Sequence, residues 1–484
     1  MPDKEQEYKE KIRANLDNVL ESRYIPEFEH KKGKVRDIHF SGDKIIMVAS
    51  DRVSCFDHVL SRCIPYKGSV LNLFNQWAME NSKDIVLNAM LNSPDPNVVV
   101  QQKYDNIGFE CVVRGYVWGS LAADYEKGLR KKSGINLPEG LLRYQKLDKP
   151  MFTPTSKAEK GHDVDVTLED IADKFMDGDA ARMIKDVSIK LFNRGAELAA
   201  KAGMIFIDTK YEFGFDKNNN LFLIDESNTP DSSRYCDAKE YNKKWQEIEG
   251  AVKNGRVNCS ISNVSELLKE KPELKIKEES KQFVRDVLIE SGYKEGMPLP
   301  DLTDEQIIET SFRYINSYER LTGRTFDFNA SELSVKKRIM NNLKKAGLAY
   351  GGCVIPIGAS EKDAEHWSKI EKTLKENSIP FTKPIYLSAH KNKQEVLDYV
   401  KKTDSASIEP LVYITFAGRS NGLGPVVAGN SKYPVITCPV FSDKSDYSIN
   451  VHSSLQMPSN LPLATIIDPG NAALFAKKVL DMAR

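Results

Sequence analysis

Apolar positions along this 484-residue chain change period several times. From about Lys31 to Val113 the runs VRDIHF, KIIMVAS and ECVVRGY are short and β-like, with turn residues such as Ser41-Gly42-Asp43 between them. Between Leu168 and Ala202 the period becomes helical, with Ala180, Met183, Ile184, Val187, Leu191 and Leu198 near helical spacing. Tyr211 to Asp225, YEFGFDKNNNLFLID, then reads as strand, Asn-rich turn and strand. A fold at Lys217–Asn219 sets Glu212 and Asp225 opposite each other to within about one residue of register, where like charges destabilise a hairpin. Lys269–Lys281 is densely charged and reads as a solvated surface connection.

A helix is predicted from Thr303, with Gln306 three positions on as a capping box. Ile307, Ile308, Phe312, Ile315 and Leu321 form its apolar face, and Gly323 stops it. Residues 326–351 read as a linker holding one short helix, with the boundary between about Thr325 and Gly351, which divides the chain into domains at 1–325 and 352–484. The final portion alternates strand and helix: CVIPIG, a helix capped by Ser360 with Ala364, Trp367, Ile370 and Leu374 inward, PIYLSAH, a helix through Val396 and Tyr399, LVYITFAG, and PVITCPV. Continuous apolar strands separated by helices predict a parallel, doubly wound sheet, whose ligands sit at the carboxyl ends of the strands.

Composition narrows the function. Lys+Arg and Asp+Glu are each 69, so there is no basic excess of the kind a nucleic-acid or membrane-surface binder carries. The opening MPDKEQEYKEKIR is charged and unlike a signal peptide, and no apolar run is long enough to span a bilayer. Seven cysteines without a CxxC pair fit a reducing cytoplasm. Cys55, His58 and Cys63 lack a matching second pair of ligands and read as packed residues, so no structural zinc is expected.

The opposed acids become favourable with a hard divalent cation between them, and Mg²⁺ takes one or two carboxylates beside waters and phosphates. Read from the hairpin alone, Glu212 and Asp225 are either such a site or two solvated surface acids. Three neighbouring stretches favour the site. NTPDSSR, ending in Arg234, is turn-rich and suited to an anion. GKVRD sets Lys34 and Arg36 in a loop able to cover phosphates, although it is not a Walker sequence. VVRGYVWGS supplies Arg114 and Ser120.

GKVRD, SDRVSCFD (Ser50–Asp57), VVRGYVWGS, FTPTSKAEKGHD (Phe152–Asp163), DTKYEFG (Asp208–Gly214) and IDESNTPDSSR (Ile224–Arg234) together resemble SAICAR synthetase, in the same order, over roughly Arg23 to Arg324. The resemblance implies an α+β ATP-binding synthetase domain. It also implies a reaction in which ATP phosphorylates the carboxylate of carboxyaminoimidazole ribonucleotide (CAIR) and the amine of L-aspartate displaces that phosphate. Carried onto this sequence, Glu212 and Asp225 ligate Mg²⁺, Lys34 and Arg36 cover the ATP phosphates, and the Glu110–Val112 backbone meets adenine. Arg114, Ser120, Ser233 and Arg234 hold the ribonucleotide phosphate. Lys210 and Asp208 face the reacting carboxylate, and Lys157, His162 and Asp163 are candidates for gripping aspartate.

The predicted C-terminal sheet carries three polar strand ends: Gly358-Ala359-Ser360, Ser388-Ala389-His390-Lys391 and Ala417-Gly418-Arg419-Ser420-Asn421-Gly422. Glycines admit a ligand closely, and a histidine there can shuttle a proton near neutral pH. SAHK, AGRSNGLGPVVAGN and SSLQMPSNLPLATI resemble AIR carboxylase in its animal form, from about Cys353 to Leu480. That resemblance implies a flavodoxin-like α/β/α domain that carboxylates aminoimidazole ribonucleotide (AIR) with CO₂, without ATP, biotin or metal. His390 would carry the proton, while Gly358, Ser360, Ser388, Lys391, Gly418, Arg419 and Ser420 would bind substrate. Two consecutive steps on one chain is the arrangement of the animal bifunctional enzyme, and a homo-oligomer, an octamer if built through this domain, is the implied assembly.

The carboxylase half departs from its pattern. Where the family reads Gly-Ser-x-Ser-Asp, this chain has Gly358-Ala359-Ser360-Glu361-Lys362-Asp363, and its sequence stops at Arg484, short of the helices that brace the family's octamer. Two readings stay open: a divergent carboxylase, or a ribonucleotide-binding or oligomerisation module beside an active synthetase. A kinase built on GKVRD is disfavoured by the lack of an HRD-type loop.

Overall fold

The computed structural model describes residues 4–22, 25, 28–56, 58–156, 164–255, 260–279, 282–294, 297–328, 333–349, 352–407, 409–418 and 422–482. The chain forms two compact units, one of residues 1–21, 33–36 and 42–332, the other of 22–32, 37–41 and 333–484. None of the described helices is long and apolar enough to cross a membrane.

The first unit is α+β, organised around the twelve-residue strand Met204–Phe215. One edge of it pairs antiparallel with Phe109–Tyr116; the other pairs with Ser233–Asp237 along its first half and with Leu221–Ile224 along its second. The hairpin turns where expected, with Asn219 left-handed at φ 59°. Glu212 faces Ile224, so Asp225 lies one residue beyond it, within the expected register.

Alternation along the long strand separates chemistry from core. Tyr211 and Phe213 point into an apolar core with Phe74, Phe109 and Tyr235, covered by helices that include Lys67–Glu80, Gly178–Lys201 and Asp304–Thr322. Asp208, Lys210 and Glu212 share the opposite face. The last of these helices has the predicted Thr303/Gln306 capping box and a left-handed Gly323 at its end. The helical region after Leu168 is broken into Leu168–Lys174 and Gly178–Lys201, because Asp177 caps a new helix, and Met183 lies on its exposed side.

One expectation is corrected. Lys269–Glu279 keeps its lysines exposed but is not wholly a solvated connection: Leu274 and Ile276 pack beside Val264 and Ile248, and Glu278 is buried. The short helix expected between Thr325 and Gly351 is Val335–Lys345; it buries Val335, Ile339, Met340 and Leu343 and clusters with the second unit.

The second unit contains a five-stranded, all-parallel sheet. Numbered within the unit as Cys353–Gly358, Ile385–Tyr386, Leu411–Phe416, Val435–Thr437 and Ala464–Thr465, its strands lie in the order 2-1-3-4-5, the flavodoxin-like arrangement. The strands are apolar on both faces because both are covered. Val354, Val412, Ile414 and Phe416 meet Trp367, Ile370, Ala473 and Leu480; Cys353, Ile355, Ile357 and Tyr413 meet Val396, Val400 and Val427. Ala364 is exposed rather than inward. Ser360 caps a single 3-10 turn, Glu361–Asp363, ahead of the α-helix Ala364–Glu376.

Candidate active site

Three neighbouring strands of the first unit set Arg114, Asp208 and Arg234 in one row: Arg114 is registered with Asp208, and Asp208 with Arg234. Arg234 Nη1 lies 2.6 Å from Asp208 Oδ2, and Arg114 Nη1 lies 3.5 Å from the same oxygen. Arg114 also donates to Thr153 Oγ1 at 3.0 Å and to Ser120 Oγ at 3.2 Å. Arg234 reaches Glu278 at 3.5 Å, and Trp118 Nε1 donates to Glu278 at 2.5 Å. The attraction of Asp208 outweighs burial and holds the Arg234 pKa above its ordinary value, whereas burial leads for Arg114 and lowers it. Arg114, Ser120, Asp208, Arg234 and Glu278 line a cavity of about 200 Å³, together with Val112, Lys210, Asp231, Ser232, Ser233 and Arg285. Gly119 is left-handed at φ 53°, and a Cβ there would stand 2.7 Å from the Arg234 guanidinium, so the backbone yields that space to arginine.

Two residues along the same strand face the charge changes sign. Lys210 Nζ lies 2.6 Å from Glu110 and 3.1 Å from Glu212, whose other oxygen accepts from Asn106 at 3.1 Å. Burial alone would lower the Lys210 pKa, but Glu212, Glu110 and Asp225 together hold it above the ordinary lysine value. Arg36 bonds Asp225 Oδ1 at 2.7 Å and also pairs with Glu226. Asp225 is itself left-handed at φ 58°, with its backbone clamped by side chains: its carbonyl accepts from Gln101 at 2.9 Å and Asn75 at 3.3 Å, and its N–H donates to Gln101 at 3.2 Å.

The sequence-predicted residues Arg114, Ser120, Asp208, Lys210, Ser233 and Arg234 are brought together around one cavity, with Thr209 and Ser233 hydroxyls 2.7 Å apart beside it. Glu212 and Asp225 carry ion pairs to Lys210 and Arg36, so cations already answer the opposed acids of the hairpin. Arg36, at the start of the strand that follows the GKVRD loop, therefore sits on these acids. The Val112 carbonyl accepts from Thr153 N–H at 2.8 Å, and the residue lines the arginine cavity. Lys157, His162 and Asp163 lie outside the described residues. Lys67, Asn75, Gln101, Thr153, Asp231, Glu278 and Arg285 were not anticipated, although Asp231 lay in NTPDSSR and Thr153 in FTPTSKAEKGHD, two stretches already singled out.

In the second unit the first strand pairs with the second at Gly358↔Tyr386 and with the third at Gly358↔Phe416, so three predicted polar ends adjoin at the carboxyl edge. This is the topological switch point of a 2-1-3-4-5 sheet. Gly358 is required there by close approach: a Cβ would stand 2.5 Å from the Phe416 ring and 2.7 Å from that of Tyr386. Ser388 O accepts from Lys391 N at 3.2 Å and Asn392 N at 2.7 Å, which closes a turn that carries His390 exposed at its tip. Gly418 follows the third strand; Arg419 and Ser420 lie outside the described residues.

A first unit with a guanidinium-lined cavity abutting clustered carboxylates, and a second with a flavodoxin-like ligand edge, define a two-domain enzyme for small anionic substrates. Comparison with known proteins makes this specific. A family profile described as SAICAR synthetase matches residues 29–251, and one described as AIR carboxylase matches 353–484. The phosphoribosylaminoimidazole-succinocarboxamide synthase of Cytophaga hutchinsonii is 40% identical over 318 residues, covering 65% of this chain and 94% of that protein. That of Bacteroides fragilis is 37% identical over 321 residues, covering 65% and 94%. A solved SAICAR synthase from Saccharomyces cerevisiae, complexed with SAICAR, is 25% identical with a TM-score of 0.53, covering 64% of this chain and 99% of that one. The chain belongs to the SAICAR synthetase family, ligases of purine biosynthesis, and carries a C-terminal AIR carboxylase-like domain.

Proposed function

We propose that this chain catalyses two consecutive steps of purine biosynthesis, carboxylating AIR to CAIR in the second unit and ligating CAIR to L-aspartate in the first. The observation that carries the ligase reading is the Arg114–Asp208–Arg234 row, which gives a phosphate-bearing substrate paired guanidiniums beside the Lys210–Glu212 face. Arg114, Ser120, Ser233 and Arg234 hold the ribonucleotide phosphate. Its carboxylate then lies toward Lys210, whose ammonium, kept charged by Glu110 and Glu212, stabilises negative charge as the acyl phosphate forms. In that step a carboxylate oxygen bonds to the γ-phosphorus of ATP and ADP leaves. The aspartate amine then attacks the acyl carbon, loses a proton, and phosphate departs. Catalysis is mostly positioning and charge neutralisation.

No group of three or more metal-ligating side chains stands together among the described residues, but Mg²⁺ needs only one or two carboxylates beside water and substrate phosphates. Glu110, Glu212, Asp225 and Glu226 outnumber Lys210 and Arg36 by two charges, and their donors are hard oxygens. Glu212 and Asp225 would hold the ion, which when bound neutralises the ATP phosphates. Lys34 and Arg36, at the turn between strands Glu29–Lys32 and Arg36–Ser41, are suited to cover those phosphates.

In the second unit His390 carries the proton lost from the imidazole carbon as CO₂ bonds to it. Gly358, Ser360, Ser388, Lys391, Gly418, Arg419 and Ser420 hold the ribonucleotide. Exposed Leu474 and Phe475 on helix Pro469–Met482 support assembly into a homo-oligomer, an octamer if built through this unit. Six free, buried cysteines among the described residues suit a reducing cytoplasm.

The test is product formation by the full chain under two conditions. CAIR, aspartate, ATP and Mg²⁺ should give the succinocarboxamide, and AIR with bicarbonate and no ATP should give CAIR. Product only in the first would leave the second unit as a binding or assembly module.

A further inference from the structure

Asp231 stands in the wall of the arginine cavity, yet it is flanked by a cation that the cavity does not contain. Lys67 is fully buried, and its Nζ lies 2.7 Å from Asp231 Oδ2. Tyr314 OH donates to the other carboxylate oxygen at 2.7 Å, and the ammonium sits 5.5 Å from the Tyr314 ring centre. Burial, and then the Asp231 charge, raise the Tyr314 pKa well above the ordinary tyrosine value, so its proton stays in that bond.

The chain is forced to deliver Lys67 there. Tyr66, just before it, is left-handed at φ 66°, an unfavourable conformation for an aromatic residue. Gly68, just after it, packs so tightly that a Cβ would stand 2.3 Å from Ala49 O, and its N–H donates to Asp51 at 2.9 Å. Ser311 Oγ pins Pro65 O at 2.7 Å. A buried ion pair adds little to stability over apolar residues of the same volume, so stability does not account for this construction.

We infer that Lys67 is a positioning residue for the ligase reaction. Together with Tyr314 it fixes the Asp231 carboxylate, ionised and oriented, as the acceptor for N–H or O–H donors of the bound ribonucleotide. The inference rests on the assignment of the Arg114–Arg234 cavity to that substrate. A carboxylate held by Lys67 and Tyr314 offers acceptors and no donors, so Asp231 also sets polarity: phosphate lies toward the guanidinium donors and the donor edge of the ribonucleotide toward Asp231. With Lys67 neutralising it, Asp231 accepts hydrogen bonds without cancelling the positive field of the arginines.

The test is steady-state kinetics of the full chain carrying Asp231→Asn, Lys67→Met, both together, and Tyr314→Phe, with KM measured separately for CAIR and ATP and an unfolding midpoint for each variant. Loss of a hydrogen bond to a charged group predicts a rise in CAIR KM of about tenfold or more for D231N and K67M. The KM for ATP should stay within twofold. The double variant should be no worse than D231N, because Lys67 acts through Asp231. Y314F should raise CAIR KM severalfold at a near-normal midpoint, and decides the matter if K67M does not fold. Additive losses, or a K67M effect confined to the midpoint and kcat with CAIR KM unchanged, would overturn the inference. Arg234→Met runs beside them: if it too leaves CAIR KM unchanged, the cavity assignment itself fails and the inference falls with it.

Discussion

Asp225→Asn separates the charge of the acid cluster from its architecture. The backbone at Asp225 is left-handed at φ 58°, a conformation asparagine adopts as readily as aspartate, and its amide and carbonyl are held by Gln101 and Asn75 rather than by its own carboxylate. The fold therefore loses one part-buried ion pair, while Arg36 keeps Glu226. That costs about 1 kcal/mol, a fall of roughly 2–4 °C in Tm. The effect on a bound cation is larger. A pair of unit charges about 4 Å apart at an effective dielectric of about 20 interacts by about 4 kcal/mol, and by twice that for a divalent ion. If desolvation returns three-quarters of it, about 2 kcal/mol remains, more than tenfold in half-saturating Mg²⁺ at about 1.4 kcal/mol per decade. The assay is ligase turnover against Mg²⁺ at fixed ATP, with thermal unfolding of the same samples. Turnover and half-saturating Mg²⁺ both within twofold of the parent protein would refute the magnesium role. Unfolding of the variant would refute the view that side-chain clamps, not the carboxylate, hold this backbone.

Other outcomes follow from the same geometry. His390→Ala, at an exposed turn tip, should abolish carboxylation of AIR and leave ligation of CAIR unchanged, read from the two product assays; loss of both would show that the activities are coupled. Gly358→Ala drives a methyl to within 2.5 Å of Phe416 and should destabilise the second unit by about 1–3 kcal/mol, measured by denaturant unfolding; an unchanged midpoint would refute the close-packing argument. Burial leads the groups that depress the His366 pKa below the ordinary 6.5, and its Nε2 lies 3.2 Å from Cys438 Sγ. The unfolded chain then binds the proton more readily, so the second unit should lose stability as pH falls below about 6.5 and gain nothing above it. Trp367, the next residue along, reports this by fluorescence, and His366→Gln should flatten the slope; an equal slope in the variant would assign it elsewhere.

How much of this was legible in sequence depended on range. A local turn set Glu212 against Asp225, because hairpin geometry is fixed by neighbours, whereas Asp208 and Lys210 were reached only through the resemblance carried by DTKYEFG. The Thr303/Gln306 box was legible for the same reason. Lys67 and Tyr314 were not: they meet Asp231 across 164 and 83 positions, and nothing local distinguishes a lysine in PYKGS from a solvated one. Lys269–Lys281 misled because charge was counted without asking which positions were apolar; Leu274 and Ile276, two apart, anchor the segment and bring buried Glu278 to Arg234. The fifth strand, Ala464–Thr465, is too short for any periodicity to betray, and only pairing with Val435–Thr437 defines it.

The long strand also sets two ends of opposite charge on one face. At Asp208 a single carboxylate is shared by Arg114 and Arg234, so with Arg285 and Glu278 the cavity keeps an excess of positive charge, provided Lys67 cancels Asp231. At Glu212 the balance reverses, and four carboxylates outweigh Lys210 and Arg36. Four residues of strand separate these ends, roughly 13 Å at about 3.3 Å per residue. On the ligase reading proposed above, such a span would let a ribonucleotide lay its phosphate on the positive end and its carboxylate near Lys210, with the ATP phosphates at the negative end. Burying these ion pairs adds little to stability. What the arrangement secures is a fixed gradient of charge, set by register across three strands, which on the proposed reading would orient both reacting groups before any bond changes.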